Sequence, residues 1–358
     1  MMRVTRRNLA SLGDFQARAS KYWTADRVHH LSERPLPLSP EVSGVPALLR
    51  VLGLMNSDGT ISAADMRKYR QLNAMLEAVE RTIFSDAVLG TSPALTTSEG
   101  MPPLRFVDLG TGASSHMALL LAFASDQLWQ RRARILAVDA SEKRVERARQ
   151  RAEMLGFSSD TLQYSVSAIR DLPSWSDLCA SAFPLDRVSK PPHGVFALHA
   201  CDTATDEAAA FAIRSGAKAI LLAPCCQAEL AGAWKRANHV AQQHTSSAPS
   251  SGMSSHPFSA VHRLPSLRTE MGATITDTLR VLLLQASGYS TTATDFVATE
   301  HTPKNRLITA IRQRPDPGTG RLPASAERAR HVGLAEYRKL RDATGGHGIA
   351  LARMLGVE

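Results

Sequence analysis

Between Leu104 and Gln227, short apolar runs alternate with segments of helical period, and no other feature restricts the fold of this chain as strongly. The runs LRFVDLG, ARILAVDA, LQYSVSA, GVFALHA and AKAILLA are separated by stretches such as MALLLAFASDQLWQ and EKRVERARQRAEMLG. Apolar positions in those stretches recur every three or four residues, the period of an α-helix. Strands that alternate with crossover helices are expected to form a parallel sheet with helices on both faces, the doubly wound, Rossmann-like α/β class. Further along, STTATDFVA and RLITAIRQR are joined by TEHTPKN, which is too short for a helix. The last strand is therefore expected to run antiparallel.

The flanks read differently. The segment ADMRKYRQLNAMLEAVERTIF places Met66, Tyr69, Leu72, Met75, Leu76 and Val79 at helical spacing. Residues 1–60 show no sustained period, and Pro35, Pro37, Pro40 and Pro46 interrupt any long element. The Ser-rich HTSSAPSSGMSSHPF, about 244–258, reads as a flexible insertion. The expected organisation is an N-terminal extension over 1–60, an α/β domain over 61–313 that carries the insertion, and a basic C-terminal extension over 314–358.

Lys plus Arg number 42 against 33 Asp plus Glu, a formal net charge of +9. Such an excess suits RNA or another polyanion as partner. No apolar run approaches the roughly 20 residues of a membrane span, so a soluble chain without membrane contact is expected. Cys179, Cys201, Cys225 and Cys226 include an adjacent pair and no CxxC spacing. That argues against a disulfide framework and for a reducing compartment, with the cytoplasm as the first expectation. The Arg-rich start, where Arg3, Arg6, Arg7 and Arg18 are opposed only by Asp14, makes a mitochondrial targeting segment the alternative.

Chemistry concentrates at the strand ends. FVDLGTGAS, residues 106–114, runs a strand into a sharp turn at Asp108-Leu109-Gly110-Thr111-Gly112. Glycine there tolerates φ > 0 and lets the backbone approach a ligand closely. The next strand ends in Asp139, 27 residues past Gly112, where a carboxylate can bind the two ribose hydroxyls of a nucleoside. This pattern resembles the class I S-adenosylmethionine (SAM)-dependent methyltransferases. The resemblance implies SAM as cofactor, with Asp108, Gly110 and Gly112 bordering its methionine moiety and Asp139 gripping its ribose. Its adenine is then expected near Ser167, Ala168 and Ile169. Ser114 stands where many members carry a third glycine. A nicotinamide-dependent enzyme is the rival reading of the same turn.

LHACDTATD, residues 198–206, and PCCQ, residues 224–227, end the fourth and fifth strands and should share that edge. His199, Cys201, Cys225 and Cys226 could form a tetrahedral metal site, but adjacent cysteines rarely chelate one ion, so no metal is expected. A Cys thiolate that adds to a pyrimidine ring is a second use. In the preferred reading, His199 and Asp202 line the methyl-transfer site while the cysteines pack as small buried groups. HAC with PCCQ departs from the HxE and PCxxC of zinc deaminases.

With KYRQLN (68–73), TDTLR (276–280) and EHTPKN (300–305), these segments resemble a little-characterised methyltransferase-like domain family. That family is distantly related to a tRNA ribose 2′-O-methyltransferase branch, and the resemblance covers about residues 63–312. Lys68, Gln71 and Asn73 either form a polar helix face or help to close the cofactor pocket. EHTPKN is expected on the glycine-turn edge, where Lys304 and Asn305 can meet a phosphate or base and His301 can accept a proton. Asp277 and Arg280, at i,i+3, are expected as a surface ion pair. The catalytic set is then His199, Asp202, His301, Lys304 and Asn305, and the cofactor set is Asp108, Gly110, Gly112, Asp139, Ala168 and His199. Methyl transfer from SAM to RNA (tRNA or rRNA) is the expected activity. The alternatives are a small-molecule or protein methyltransferase, and a non-catalytic RNA-binding or ribosome-assembly protein that kept the fold.

Overall fold

The computed structural model describes residues 6–32, 35–89, 101–114, 116–184, 190–198, 200, 202–244, 257–295, 306–316 and 318–358. Its centre is a seven-stranded sheet in the order β3-β2-β1-β4-β5-β7-β6. The strands are β1 (Leu104–Leu109), β2 (Ala133–Asp139), β3 (Leu162–Val166), β4 (Gly194–Leu198), β5 (Ala219–Ala223), β6 (Tyr289–Asp295) and β7 (Arg306–Arg312). The first five are parallel, and β7 pairs antiparallel with both β5 and β6. This is the Rossmann-like order with a reversed last strand that the alternating pattern predicts. Because β6 runs with the parallel set, its C-terminal end shares an edge with the glycine turn.

Burial explains why the sheet was readable. β1 and β5 are buried at every position, and strands covered on both faces read as continuous apolar runs. The edge strand β6 carries Thr-rich YSTTATD, of which only Tyr289 is buried, in keeping with an edge that must stay polar.

Helices α1 (Arg6–Tyr22), α2 (Ala25–His29), α3 (Val45–Val51), α4 (Ala63–Ile83) and α5 (Asp86–Leu89) precede β1. Between strands come α6 (His116–Phe123), α7 (Glu142–Met154), α8 (Trp175–Ala182), α9 (Thr203–Arg214), α10 (Glu229–His244), α11 (Ser259–Arg263) and α12 (Pro265–Ala286). After the last strand, α13 (Ala324–Ala343) and α14 (Ala350–Met354) close the chain. Local chemistry sets one start clearly: Ser62 Oγ accepts the Asp65 N–H at 3.1 Å and caps α4.

Alternate strand residues feed two cores. Phe106, Ile135, Phe196 and Leu221 face the first, which packs against Leu48, Tyr69, Leu76 and Leu120. Val107, Leu136, Val195 and Leu222 face the second, with Leu178, Phe211, Leu283 and Tyr337. The stretch over 1–60, expected without any long element, instead contributes three helices, the 17-residue α1 among them, and buries Phe15, Trp23, Leu38 and Leu49 in the first core. Pro35, Pro37 and Pro40 fall between α2 and α3 and Pro46 in the first turn of α3, so none of them interrupts α1. Two residues of KYRQLN clamp this stretch: Tyr69 Oη donates to Leu38 O at 2.9 Å, and Leu38 N–H donates to Asn73 Oδ1 at 2.8 Å. The tail is fastened too, since Glu229 accepts the Ala350 N–H at 2.9 Å and pairs with Arg353. Among the described residues no helix is long and apolar enough to cross a membrane.

Candidate active site

The C-terminal ends of β1 to β4 border one cavity of about 650 Å³, the edge where parallel doubly wound sheets collect ligands. Its floor is the glycine turn. Gly110 and Gly112 have φ of 75° and 66°, a region that L side chains avoid. The N–H groups of Gly110 and Thr111 donate to Val138 O at 2.9 and 3.0 Å, which ties the turn to β2. A Cβ on Gly112 would meet nothing within 4 Å, so the backbone is open to a ligand there.

Asp139, at the end of β2, is 5% exposed. Its Oδ2 accepts the Gly112 N–H at 2.9 Å, and its Oδ1 accepts from Ser141 N–H and Arg144 Nε, each at 2.9 Å. Asp108, at the end of β1, is 1% exposed and held differently. Its Oδ2 has no hydrogen-bond partner. Burial raises the Asp108 pKa to about 6, against the lowering effect of the Thr111 hydroxyl and the Ala118 backbone. A buried carboxyl with one unmatched oxygen on a cavity wall is suited to receive a cationic group.

Ser167, Ala168 and Ile169 line the cavity beyond β3, and Leu198, Ala200 and Thr203 line it beyond β4. Helix α4 closes the top with Lys68 and Leu72, and burial lowers the Lys68 pKa. Arg144, Arg170 and Glu207 complete the charged lining. Helix period alone does not say which turn of α7 or α9 carries Arg144 or Glu207 to the cavity, and Arg170 lies in a short turn after β3 that has no period at all.

Asp202, expected to line the methyl-transfer site, is engaged by backbone groups of the next segment. It is not among the cavity-lining residues. Its Oδ1 accepts the N–H groups of Ala228 and Glu229, both at 3.0 Å, and so caps α10. Its own N–H donates to Cys226 O at 2.9 Å, from a left-handed φ of 52°. The residue latches LHACDTATD onto PCCQ, and its carboxylate is occupied by that cap.

The expected surface pair of Asp277 and Arg280 is also corrected, since these residues are 3% and 0% exposed. Arg280 Nε and Nη2 donate to Asp206 at 3.0 and 2.9 Å, and Nη1 donates to Asp277 at 3.1 Å. Nη2 also reaches Asp202 O at 2.9 Å. Asp277 further accepts from Gln227 at 3.1 Å and Arg306 at 3.3 Å. Helix α12 lies against α9 and α10 rather than solvent, which spacing within one helix could not reveal.

The cysteines divide. Cys179 is buried as expected, but Cys225 is half-buried and Cys226 exposed, with sulfurs 3.8 Å apart. Among the described residues no group of three His, Cys, Asp or Glu is arranged to hold a metal ion. His199, Cys201, His301, Lys304 and Asn305 lie outside the described residues. The strand ends that flank EHTPKN, Asp295 and Arg306, pair at the glycine-turn edge.

No curated protein matches the chain. Among solved structures, magnesium protoporphyrin IX methyltransferase from Synechocystis PCC 6803, with bound SAH, shares 18% identity over 74% of this chain and 91% of its own, at a TM-score of 0.34. The METTL16 MTase domain shares 16% over 74% and 76%, at 0.37. Human methyltransferase 10 domain containing protein shares 12% over 74% and 92%, at 0.31. Residues 67–233, from α4 into α10, match the family model described as a methyltransferase domain, and this stretch holds the five parallel strands of the Rossmann-like sheet.

Proposed function

We propose that this enzyme transfers the methyl group of SAM to an acceptor heteroatom on RNA, either tRNA or rRNA. The observation that carries the reading is the lock between Asp139 and the Gly112 N–H inside a single cavity. It supports a nucleoside cofactor whose ribose hydroxyls meet Asp139 and whose amino-acid end crosses the glycine turn. Asp108 then receives the cofactor's ammonium, Lys68 its carboxylate, and Ala168 with its neighbours its adenine. RNA as acceptor is supported by the net charge of +9.

SAM supplies an activated sulfonium methyl, so the protein's task is to align donor and acceptor. A base is required only where the acceptor must lose a proton, and His199 and His301 are the residues proposed for it. Lys304 and Asn305 are proposed to meet the acceptor's phosphate or base.

Isothermal titration calorimetry with SAM and S-adenosylhomocysteine tests the cofactor site. The wild type should bind both. Asp139→Ala should lose about ten- to a hundredfold in affinity, the worth of charge-assisted hydrogen bonds. A folded wild type that binds neither ligand overturns the reading. Labelled methyl that enters tRNA or rRNA supports the RNA acceptor, and label that enters only protein or small molecules overturns that half alone.

A further inference from the structure

A second cavity, of about 690 Å³, opens at the opposite edge of the sheet, and the reaction gives it no task. It lies where Gly216 leads into β5, Gly288 leads into β6 and Arg312 ends β7. Its lining includes Lys218, Arg312, Arg314 and Arg330 and, among the described residues, contains no Asp or Glu. Among the described residues none of the four cations forms an ion pair; Asp316, close in sequence, is held in its own turn by the N–H groups of Gly318 and Thr319.

The arginines are fixed by neutral groups. Arg312 Nη1 donates to Gly216 O at 3.0 Å, Arg314 Nη2 to Val88 O at 2.8 Å, and Arg330 Nε to Ala286 O at 3.3 Å. A carbonyl orients a guanidinium without cancelling its charge, and each guanidinium carries five N–H donors. The Lys218 pKa is lowered by burial first and then by Arg314, Arg105 and Lys190. Four cations around one concavity repel one another, and an anion inside would relieve that repulsion. Guanidinium forks match phosphate oxygens better than they match most anions.

We propose that this cavity is an anion site that takes backbone phosphates of the RNA acceptor, away from the methyl-transfer site. The inference rests on the RNA reading given above and deepens it. Strand β5 and its flanking turns separate the two edges by about 20 Å, at about 3.3 Å per residue. A mononucleotide cannot touch both edges, whereas a folded RNA can, so the second site implies an acceptor of macromolecular size.

Fluorescence anisotropy of labelled tRNA, titrated between 50 and 200 mM salt on the order used for such slopes, separates the outcomes. Arg314→Gln with Arg330→Gln should weaken RNA binding about tenfold. The slope of log affinity against log salt should shrink by about 1–2, at roughly 0.7–0.9 per phosphate contact. SAM affinity by calorimetry should not change. Arg147→Gln with Arg149→Gln, the same loss of charge on α7, serves as control, and Lys218→Gln gives the same reading should the double variant unfold. RNA binding that survives, or falls equally in the control, overturns the anion site and leaves the acceptor reading standing. A wild type that binds no RNA overturns both.

Discussion

Asp108 and Asp139 border the same cavity yet are held in opposite ways, one with an unmatched oxygen and the other with both oxygens engaged. The difference has a measurable sign. The folded pKa of Asp108, about 6, lies above its ordinary 3.8 because burial favours the neutral form. Its contribution to stability is therefore fully present below about pH 4 and is lost as pH rises through 6. Two units at about 1.4 kcal/mol each amount to about 3 kcal/mol. Urea denaturation of the ligand-free protein should show the wild type losing that much, relative to Asp108→Asn, between pH 4 and 7. In the same frame, a cation in the cavity favours the carboxylate. SAM affinity should rise with pH up to about 6 and then level, and Asp108→Asn should be flat. Parallel pH curves for the two proteins would remove Asp108 from the cation-binding role. These two acids and the glycines were legible because a strand that ends in an acid and turns on glycine leaves few other uses. Asp202 was not, because the helix it caps arrives from the next βα unit, 26 residues later in the chain.

At the scale of elements, Arg280 joins segments that seemed unrelated along the chain. It links α9 through Asp206, α12 through Asp277 and the LHACDTATD turn through Asp202 O, while Asp277 brings in Gln227 of PCCQ and Arg306 of β7. Burial raises the pKa of both carboxyls, and Arg280 opposes that rise. Removing the cation leaves two buried acids without their main counter-charge, a loss that costs about 3–5 kcal/mol. Arg280→Met should thus be strongly destabilised in chemical denaturation at pH 7. Adding Asp206→Asn should recover part of that loss, because the stranded charge goes with it. A single variant within about 1 kcal/mol of wild type would show the network to be incidental. The motifs were visible as residue types, but their shared purpose was not, since nothing in the 3.6-residue period of α12 tells which neighbour covers it.

The whole molecule depends on both ends of the chain, each serving a different face of the sheet. Phe15, Trp23, Leu38, Leu48 and Leu49 enter the first core, and Tyr337, Ile349 and Leu351 enter the second. The central pattern was legible because parallel strands covered on both sides write unbroken apolar runs. The ends were less so, because a long terminal helix such as α13 buries only Ala326, Gly333 and Tyr337 and so writes a thin apolar stripe. The fragment 61–313, which reads as a self-sufficient domain, would lack all eight of these side chains. At about 1.5–3 kcal/mol for each large buried side chain, their loss amounts to about 12–24 kcal/mol. That matches or exceeds the roughly 5–15 kcal/mol by which a native protein is stable at all. The full chain should therefore melt cooperatively in calorimetry, and 61–313 should show no cooperative transition and no SAM binding. Fragments 1–313 and 61–358 should each be destabilised, since each bares one face only. A 61–313 fragment that melts within a few degrees of the full chain and still binds SAM would show the two ends to be additions to an already complete fold.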